Sequence, residues 1–210
     1  MLKANLYVDT IAIAPYLTSE ECRGLGEPDC AQAAARLQAG NLKPEDCLAL
    51  SPGRRQALAL AVRAREILPA VQSLELPRPV TPELFEINEP GPAAPVLVTG
   101  NSEFTLAVVT GLLAFTVSPF YLLLVDTRGD TVDMSMIYRS FTAQRLDQGL
   151  EAHRLASRLR HRQLIIPGVV GPLKEELAAY TGWEIRVGPI CVAELPLFLG
   201  EAYWQPPKES

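Results

Sequence analysis

Several chemistries are ruled out by what this chain lacks. It carries only two histidines, has a formal charge of −5, and has no basic arm at either end. A nucleic-acid surface normally needs a basic stripe, so that class of partner is argued against. No G-x-x-x-x-G-K phosphate loop occurs, and no G-x-G-x-x-G follows a strand-like run; Gly24 and Gly26 form a G-x-G, but between cysteines. There is no serine nucleophile elbow, so an ordinary hydrolase is unsupported. His153 and His161 stand further apart than metal ligands usually cluster and read as surface residues. The opening MLKANLYVDTIAIAPYL reaches Asp9 too early for a secretory apolar core. The longest apolar stretch, Leu106–Leu124, is interrupted by Thr110, Ser118 and Pro119 and reads as helix, turn and strand rather than a membrane span. The expectation is a cytoplasmic protein with no membrane partner. Four cysteines in that compartment more often mean thiols or metal ligands than disulfides.

What is present is ample core material: 48% of the 210 residues are hydrophobic. Three zones separate by composition. Residues 1–72 hold three of the four cysteines and an Ala/Arg-rich helical stretch at Gln56–Leu68. Residues 73–94 are rich in proline and read as an extended linker, with a possible short strand, LFEI, inside it. From residue 95 to 210 strands alternate with helices. PVLVTGN, YLLLVDTRG, QLIIPG and EIRVGP read as strands, SEFTLAVVTGLLAF and EELAAYTG as helices, and the stretch around Gln144–Arg160 as one polar helix. Fully apolar strands between helices predict an α/β fold with a parallel sheet covered on both faces. Ligands of such sheets sit beyond the carboxyl ends of the strands. Here those ends are Thr99–Asn101, Thr127–Thr131, Pro167–Val170 and Gly188–Pro189.

Cys22, Cys30 and Cys47 sit in the frame CRGLGEPDCAQAAARLQAGNLKPEDC. Iron–sulfur clusters need thiolates converging on a loop whose glycines let the backbone approach the sulfides, and Gly24 and Gly26 suit that purpose. A helix from about Ala31 to Ala39, closed by Gly40, would return Cys47 towards the loop. Three ordinary buried thiols are the other reading, and spacing alone leaves both open.

The frame resembles the cluster-binding segment of the large (gamma) subunit of the corrinoid iron–sulfur protein of the acetyl-CoA pathway. That segment has the form C-x2-C-x4-C-x16-C, and Cys22, Cys30 and Cys47 fill its first, third and fourth places, with Leu25 in the second. The resemblance implies a metal-ligating role for these three cysteines. Because Leu25 cannot ligate iron, it leaves a three-iron cluster, a non-cysteine fourth ligand, or a segment without its cluster. From Pro95 onward, PVLVTGN, YLLLVDTRGDTV, HRQLIIPG and TGWEIRVGP resemble the same subunit's corrinoid-binding domain in order and spacing. This implies a Rossmann-like corrinoid-binding sheet holding a base-off cobalamin, consistent with the absence of a D-x-H-x-x-G loop.

Carried over by position, Thr99, Asn101 and Thr105 would meet the corrin edge and its amides. Gly129, Asp130, Thr131 and Val132 match the loop crossing the lower face, and Pro167, Gly168, Gly188 and Pro189 match later loops at the same edge. From the residues alone, Gly129 and Gly168 read as turn glycines and Pro189 as a strand terminator. Met134 falls near the cobalt-facing position, where a thioether more often packs than ligates. Phe141 is the one residue retained from the family's cap, the rest of which is rewritten as DMSMIYRSF. The barrel that the family inserts between its two segments is replaced here by the proline-rich stretch.

The resemblance therefore implies a methyl-group carrier serving a methyltransferase, with cobalt reduced to Co(I) and a corrinoid-reducing activator as a further partner. Two other classes stay open: a cofactor-free interaction or regulatory paralogue, and a cluster-only electron-transfer protein.

Overall fold

The computed structural model describes residues 6–69 and 77–207. Five strands, β1 (Leu84–Ile87), β2 (Val96–Gly100), β3 (Phe120–Val125), β4 (Gln163–Ile166) and β5 (Glu184–Val187), form one sheet in the order β1-β3-β2-β4-β5. β2 lies parallel to β3 and β4, and β4 to β5, whereas β1 runs antiparallel to β3 with Leu84 opposite Leu123. The all-parallel expectation is thus corrected at one edge, and the sheet is mixed. The reason is chain length: residues 88–95 join β1 to β2, and a parallel crossover needs about a dozen residues or more. Asn88 and Glu89, both with φ near +54, make that reversal.

Among the described residues four α-helices precede the sheet: α1 (Ser19–Gly24), α2 (Cys30–Gln38), α3 (Pro52–Val62) and α4 (Ala64–Ile67). α5 (Glu103–Leu113) links β2 to β3. α6 (Val132–Ile137), α7 (Ala143–Ala152) and α8 (Leu155–Arg158) lie between β3 and β4, α9 (Lys174–Thr181) between β4 and β5, and α10 (Leu195–Leu199) follows. The single helix expected around Gln144–Arg160 is split where Arg154 takes a left-handed conformation, φ 52. No helix of the described residues is long and apolar enough to cross a membrane.

The strands of the centre are apolar on both faces because both are covered. Phe120, Leu122 and Leu124 join Leu97 and Ile165 in a core shared with Leu112 and Leu113 of α5, Leu60 of α3, Leu195 of α10 and Trp204. The alternate residues Tyr121, Leu123 and Val125 join Val98 and Ile166 in a second core, with Leu146 and Leu150 of α7, Leu155 and Leu177. This period-two division is the strand geometry itself. Truncating a fully buried member such as Leu122 to Ala costs about 2–5 kcal/mol.

The amino-terminal helices are locally well specified. Thr18 and Glu21 form a capping box at α1, Asp29 caps α2 through Gln32 N at 2.8 Å, and Ser51 caps α3 just before Pro52. Their inner faces, including Cys22, Leu37 and Leu58, pack with Ile13 and Leu17 of the preceding segment, with Val108 of α5 and with Cys191, Ala193 and Leu197. The amino-terminal helices therefore share one core with the wall of the sheet's carboxyl end.

Connections diverge at the middle of the sheet. β2 leads through α5 on one face to β3 on one side, while β4 leads through α9 on the other face to β5 on the opposite side. The neighbours β2 and β4 thus flank a topological switch point, where a crevice opens beyond the strand ends.

Candidate functional site at the carboxyl edge of the sheet

The crevice is there. A cavity of ≈ 900 Å³, counting the space open to solvent, lies between the ends of β2 and β4, the first turns of α5 and α6, and the turn after β5. Its walls are mainly aliphatic: Val98, Val108, Val109, Ile165, Val169 and Leu195 are among them. Of the residues singled out in the sequence, Thr99, Thr105, Thr131, Val132, Pro167, Gly188 and Pro189 line it together.

Thr99 is 2% exposed, and its Oγ1 has no hydrogen-bond partner among the described residues. A buried hydroxyl left unpaired costs about 1–3 kcal/mol and calls for an explanation. A polar group of a bound ligand would supply the missing partner. Ser102, in the turn that enters α5, is buried and unpaired in the same way.

Asn101 has a different place. Only 1% exposed, its Oδ1 accepts from Thr127 N at 2.8 Å, Gly129 N at 3.1 Å and Thr127 Oγ1 at 3.1 Å, while its Nδ2 donates to Val80 O at 2.8 Å. It clasps the loop after β3 to the strand-like segment Arg78–Val80, which bridges to Ser102. Gly129 belongs to that clasp. Its φ of +82 is left-handed, and a Cβ there would stand 2.4 Å from Pro79 N. Asp130 is buried and accepts from Ser140 Oγ at 2.9 Å. Phe141 packs in the core beside Val132, and Met134 sits half-buried on α6 away from the cavity lining. At Gly168, a Cβ would stand 2.7 Å from Ile190 N, so this glycine lets the turns after β4 and β5 touch. Gly168 N also donates to Pro189 O at 2.9 Å. Asn101, Gly129, Asp130 and Gly168 therefore shape the rim by bonding to the protein, while the threonines and prolines face the space.

Several wall residues carried no sequence signal. Leu6 and Tyr7 come from the far amino terminus, and Asp133 from the first turn of α6. Asp133 accepts from Thr131 Oγ1 at 2.5 Å through Oδ1 and from the Tyr7 hydroxyl at 2.9 Å through Oδ2. Burial, and then this bond to a carboxylate, push the Tyr7 phenol up to about 12. Phe104, Val108 and Val109 could have been found, because they are the inward positions of a helix that begins at the end of β2.

The cysteines are arranged otherwise than expected. Cys22 and Cys30 are joined as a disulfide, because the Gly24–Gly26 turn lays the start of α2 against α1. Cys47 follows the turn Pro44–Asp46 and donates to Lys43 O at 3.1 Å. Cys47 and Cys191 are free, buried thiols, each pushed up chiefly by burial. Among the described residues no three His, Cys, Asp or Glu side chains are grouped to hold a metal ion. Cys22, Cys30 and Cys47 thus do not converge as three thiolates, and the arrangement does not fit an iron–sulfur cluster. The carboxyl-edge cavity, with its aliphatic walls and the orphaned Thr99 hydroxyl, offers surfaces suited to an apolar ligand edge that carries a polar group.

Comparison with known proteins places the chain in one family by the region that carries the sheet. Residues 65–199, more than half of the chain, match the family described as CO dehydrogenase/acetyl-CoA synthase delta subunit. The chain is similar to the acetyl-CoA decarbonylase/synthase complex subunit gamma of Methanopyrus kandleri, 35% identical over 123 residues, covering 59% of this chain and 27% of that protein. The corresponding subunit of Archaeoglobus fulgidus is 35% identical over 133 residues, 63% of this chain and 28% of that protein. The corrinoid/iron-sulfur protein large subunit of Moorella thermoacetica is 36% identical over 115 residues, 55% of this chain and 26% of that protein. The matched regions thus cover about a quarter of the length of these relatives.

Proposed function

Since this chain belongs to the CO dehydrogenase/acetyl-CoA synthase delta subunit family, we propose that its carboxyl-edge cavity holds a corrinoid and that the protein carries methyl groups between methyltransferase partners. The observation that carries this reading is the cavity at the switch point, with an unpaired Thr99 hydroxyl on an otherwise aliphatic wall. Thr99, Thr105 and Thr131 would offer hydroxyls to the amides of the ring's rim, and Val132, Pro167, Gly188 and Pro189 would pack on it. When bound, the corrinoid supplies a cobalt centre that, reduced to Co(I), accepts a methyl group. The protein supplies the walls that orient the ring and exclude water.

The cofactor is read as base-off, and neither histidine contributes to the wall as a protein imidazole for cobalt. His161 precedes β4, at the opposite end of that strand, with its Nε2 3.0 Å from Ala94 O. In this reading residues 95–210 form the Rossmann-like corrinoid unit. The described part of the stretch 73–94 lends it β1 and residues 6–69 form a cover, the boundary between residues 72 and 73 lying outside the described residues. The protein works in the cytoplasm, with a methyltransferase and a corrinoid-reducing activator as partners.

One observation favours a second reading, a cofactor-free interaction or regulatory paralogue: two of the three cysteines expected to ligate iron, Cys22 and Cys30, are bonded to each other. A single experiment separates the readings. The full chain is incubated anaerobically with hydroxocobalamin, desalted, and its visible spectrum and iron content recorded. The carrier reading expects a retained, base-off corrinoid spectrum; a colourless protein supports the paralogue, and iron without corrinoid supports an electron-transfer protein.

A further inference from the structure

The amino-terminal edge of the sheet, at the opposite end of the strands from the cavity, concentrates positive charge. Residues 153–162, HRLASRLRHR, hold four arginines, both histidines of the chain and no acidic residue, in a protein whose formal charge is −5. The stretch contains α8 and leads directly into β4. Arg158 lies over the ring of Tyr121, near the start of β3, 5.1 Å from its centroid. Arg160 N donates at 2.9 Å to Pro92 O, in the connection that enters β2. Arg162 stands immediately before β4, 5.1 Å from the centroid of the Trp183 ring at the entry to β5. Successive arginines thus follow the strand order β3-β2-β4-β5.

The residues between them turn inward. Leu159 packs against the core that holds Leu146 and Leu150 of α7, and His161 Nε2 is 3.0 Å from Ala94 O. Arg160 and Arg162 are exposed, and among the described residues neither has a carboxylate partner, whereas Arg158 is paired with Glu86. Tyr121 and Trp183 are buried in one core, so the two stacked guanidinium groups lie on one side of the sheet. A charge run is usually a solvated face, but stacking on a buried ring orders these planar groups before anything binds.

β3 and β5 are three strand spacings apart, about 14 Å. An extended chain covers that span in about four residues, and its side chains recur on one side at every second position. We infer that Arg158, Arg160 and Arg162 form a docking strip for an extended acidic segment of a partner protein, with carboxylates at alternate positions. Planar guanidinium groups match carboxylates two bonds at a time. Acidic residues flank the strip: Glu86 pairs with Arg158, Glu184 N donates to Arg162 O at 2.7 Å, and Glu151 O accepts from Arg154 N at 3.0 Å. They repel the unbroken charge of a phosphate backbone, whereas separate carboxylates pass between them. A partner held at this edge leaves the cavity at the other edge uncovered, and the inference does not depend on what the cavity binds.

The test uses the full chain and a fluorescein-labelled peptide of alternating glutamate and serine, about eight residues long so that it overhangs the strip. Fluorescence anisotropy is expected to show binding that weakens as salt is raised, because exposed charges are screened. Arg160→Glu/Arg162→Glu is expected to bind at least about tenfold more weakly, since like charges then face the peptide. Arg63→Glu/Arg65→Glu makes the same change of net charge on the amino-terminal helices and is expected to bind as the wild type does. Trp183 reports independently: peptide held at Arg162 is expected to change its fluorescence, and Trp183→Phe to abolish that change. The salt dependence and the Trp183 signal of the wild type decide the matter even where the charge-reversed protein is unstable. No binding by the wild type at low salt, equal losses in both charge-reversed proteins, or an unmoved Trp183 signal overturns the inference. So does tighter binding of a single-stranded oligonucleotide than of the peptide, which makes the strip a nucleic-acid surface instead.

Discussion

Replacing Asn101 with alanine separates a structural clasp from a ligand contact. The side chain is 1% exposed and satisfies two N–H groups of the loop after β3, on Thr127 and Gly129, and one carbonyl, on Val80. Alanine takes away all three partners. A buried polar group left without its partner costs about 1–3 kcal/mol, and Val80 is half-buried, so the sum expected is about 2–6 kcal/mol. Domain stabilities are typically about 5–15 kcal/mol, which makes this a large fraction of the whole. With a urea slope of about 2 kcal/mol/M, the midpoint should fall by roughly 1–3 M with the slope unchanged. Asn101→Asp keeps the acceptor for the two amides but sets a carboxylate oxygen against Val80 O, so it should also destabilise at neutral pH. A midpoint within about 0.2 M of the wild type for Asn101→Ala would refute the clasp, at about 0.4 kcal/mol on that slope. It would return Asn101 to the set of residues able to serve a ligand.

The remaining predictions rest on other parts of the molecule. Gly129→Ala, forced into left-handed backbone against Pro79, should cost at least ~2 kcal/mol and lower Tm by about 4–8 °C or more in a thermal melt. An unchanged Tm would show that the Arg78–Val80 segment does not press on this loop. Thiol titration in denaturant without reductant should find two thiols, Cys47 and Cys191, and four after reduction; four at the outset would remove the Cys22–Cys30 bond. Burial pushes the Glu21 carboxyl up, but hydrogen bonds from Arg54 and from Thr18 outweigh it and hold the group below its ordinary 4.5. The depressed value means this stabilisation is present above about pH 4.5 and is lost as pH falls through the folded value. The stability gap between wild type and Glu21→Gln, followed by urea denaturation, should close on acidification; a gap independent of pH would contradict it.

Much of the fold is legible in the sequence because its strands are short apolar runs bounded by turn residues. Val96–Gly100, Phe120–Val125 and Gln163–Ile166 stand close to where the runs lie, and LFEI is a strand. The direction of β1 is less open to reading, since it follows from connection length rather than from composition. The site is legible at its edge. Thr99, Thr131, Pro167 and Gly188 follow from where apolar strands stop, and such stops converge in any parallel sheet. Asn101 is not legible, because its partners come from a proline-rich segment that carries no pattern of its own. Nor is the pairing of Cys22 with Cys30 rather than their convergence with Cys47, since spacing does not say which sulfurs meet. Tyr7 reaches the cavity through a tertiary contact with no local motif at all. The six-residue helix α6 is hidden in DMSMIYRSF because Ile137 and Tyr138 point to solvent and break the apolar period.

The most direct measurement is the cobalt-to-protein ratio after anaerobic loading with hydroxocobalamin and gel filtration, for the wild type and for Thr99→Trp, which fills the cavity from its floor. A corrinoid seated at the ends of β2 and β4 gives a ratio near one for the wild type and near zero for the variant. A folded wild type that elutes without cobalt, or a Thr99→Trp protein that retains as much as the wild type, contradicts the assignment of this cavity.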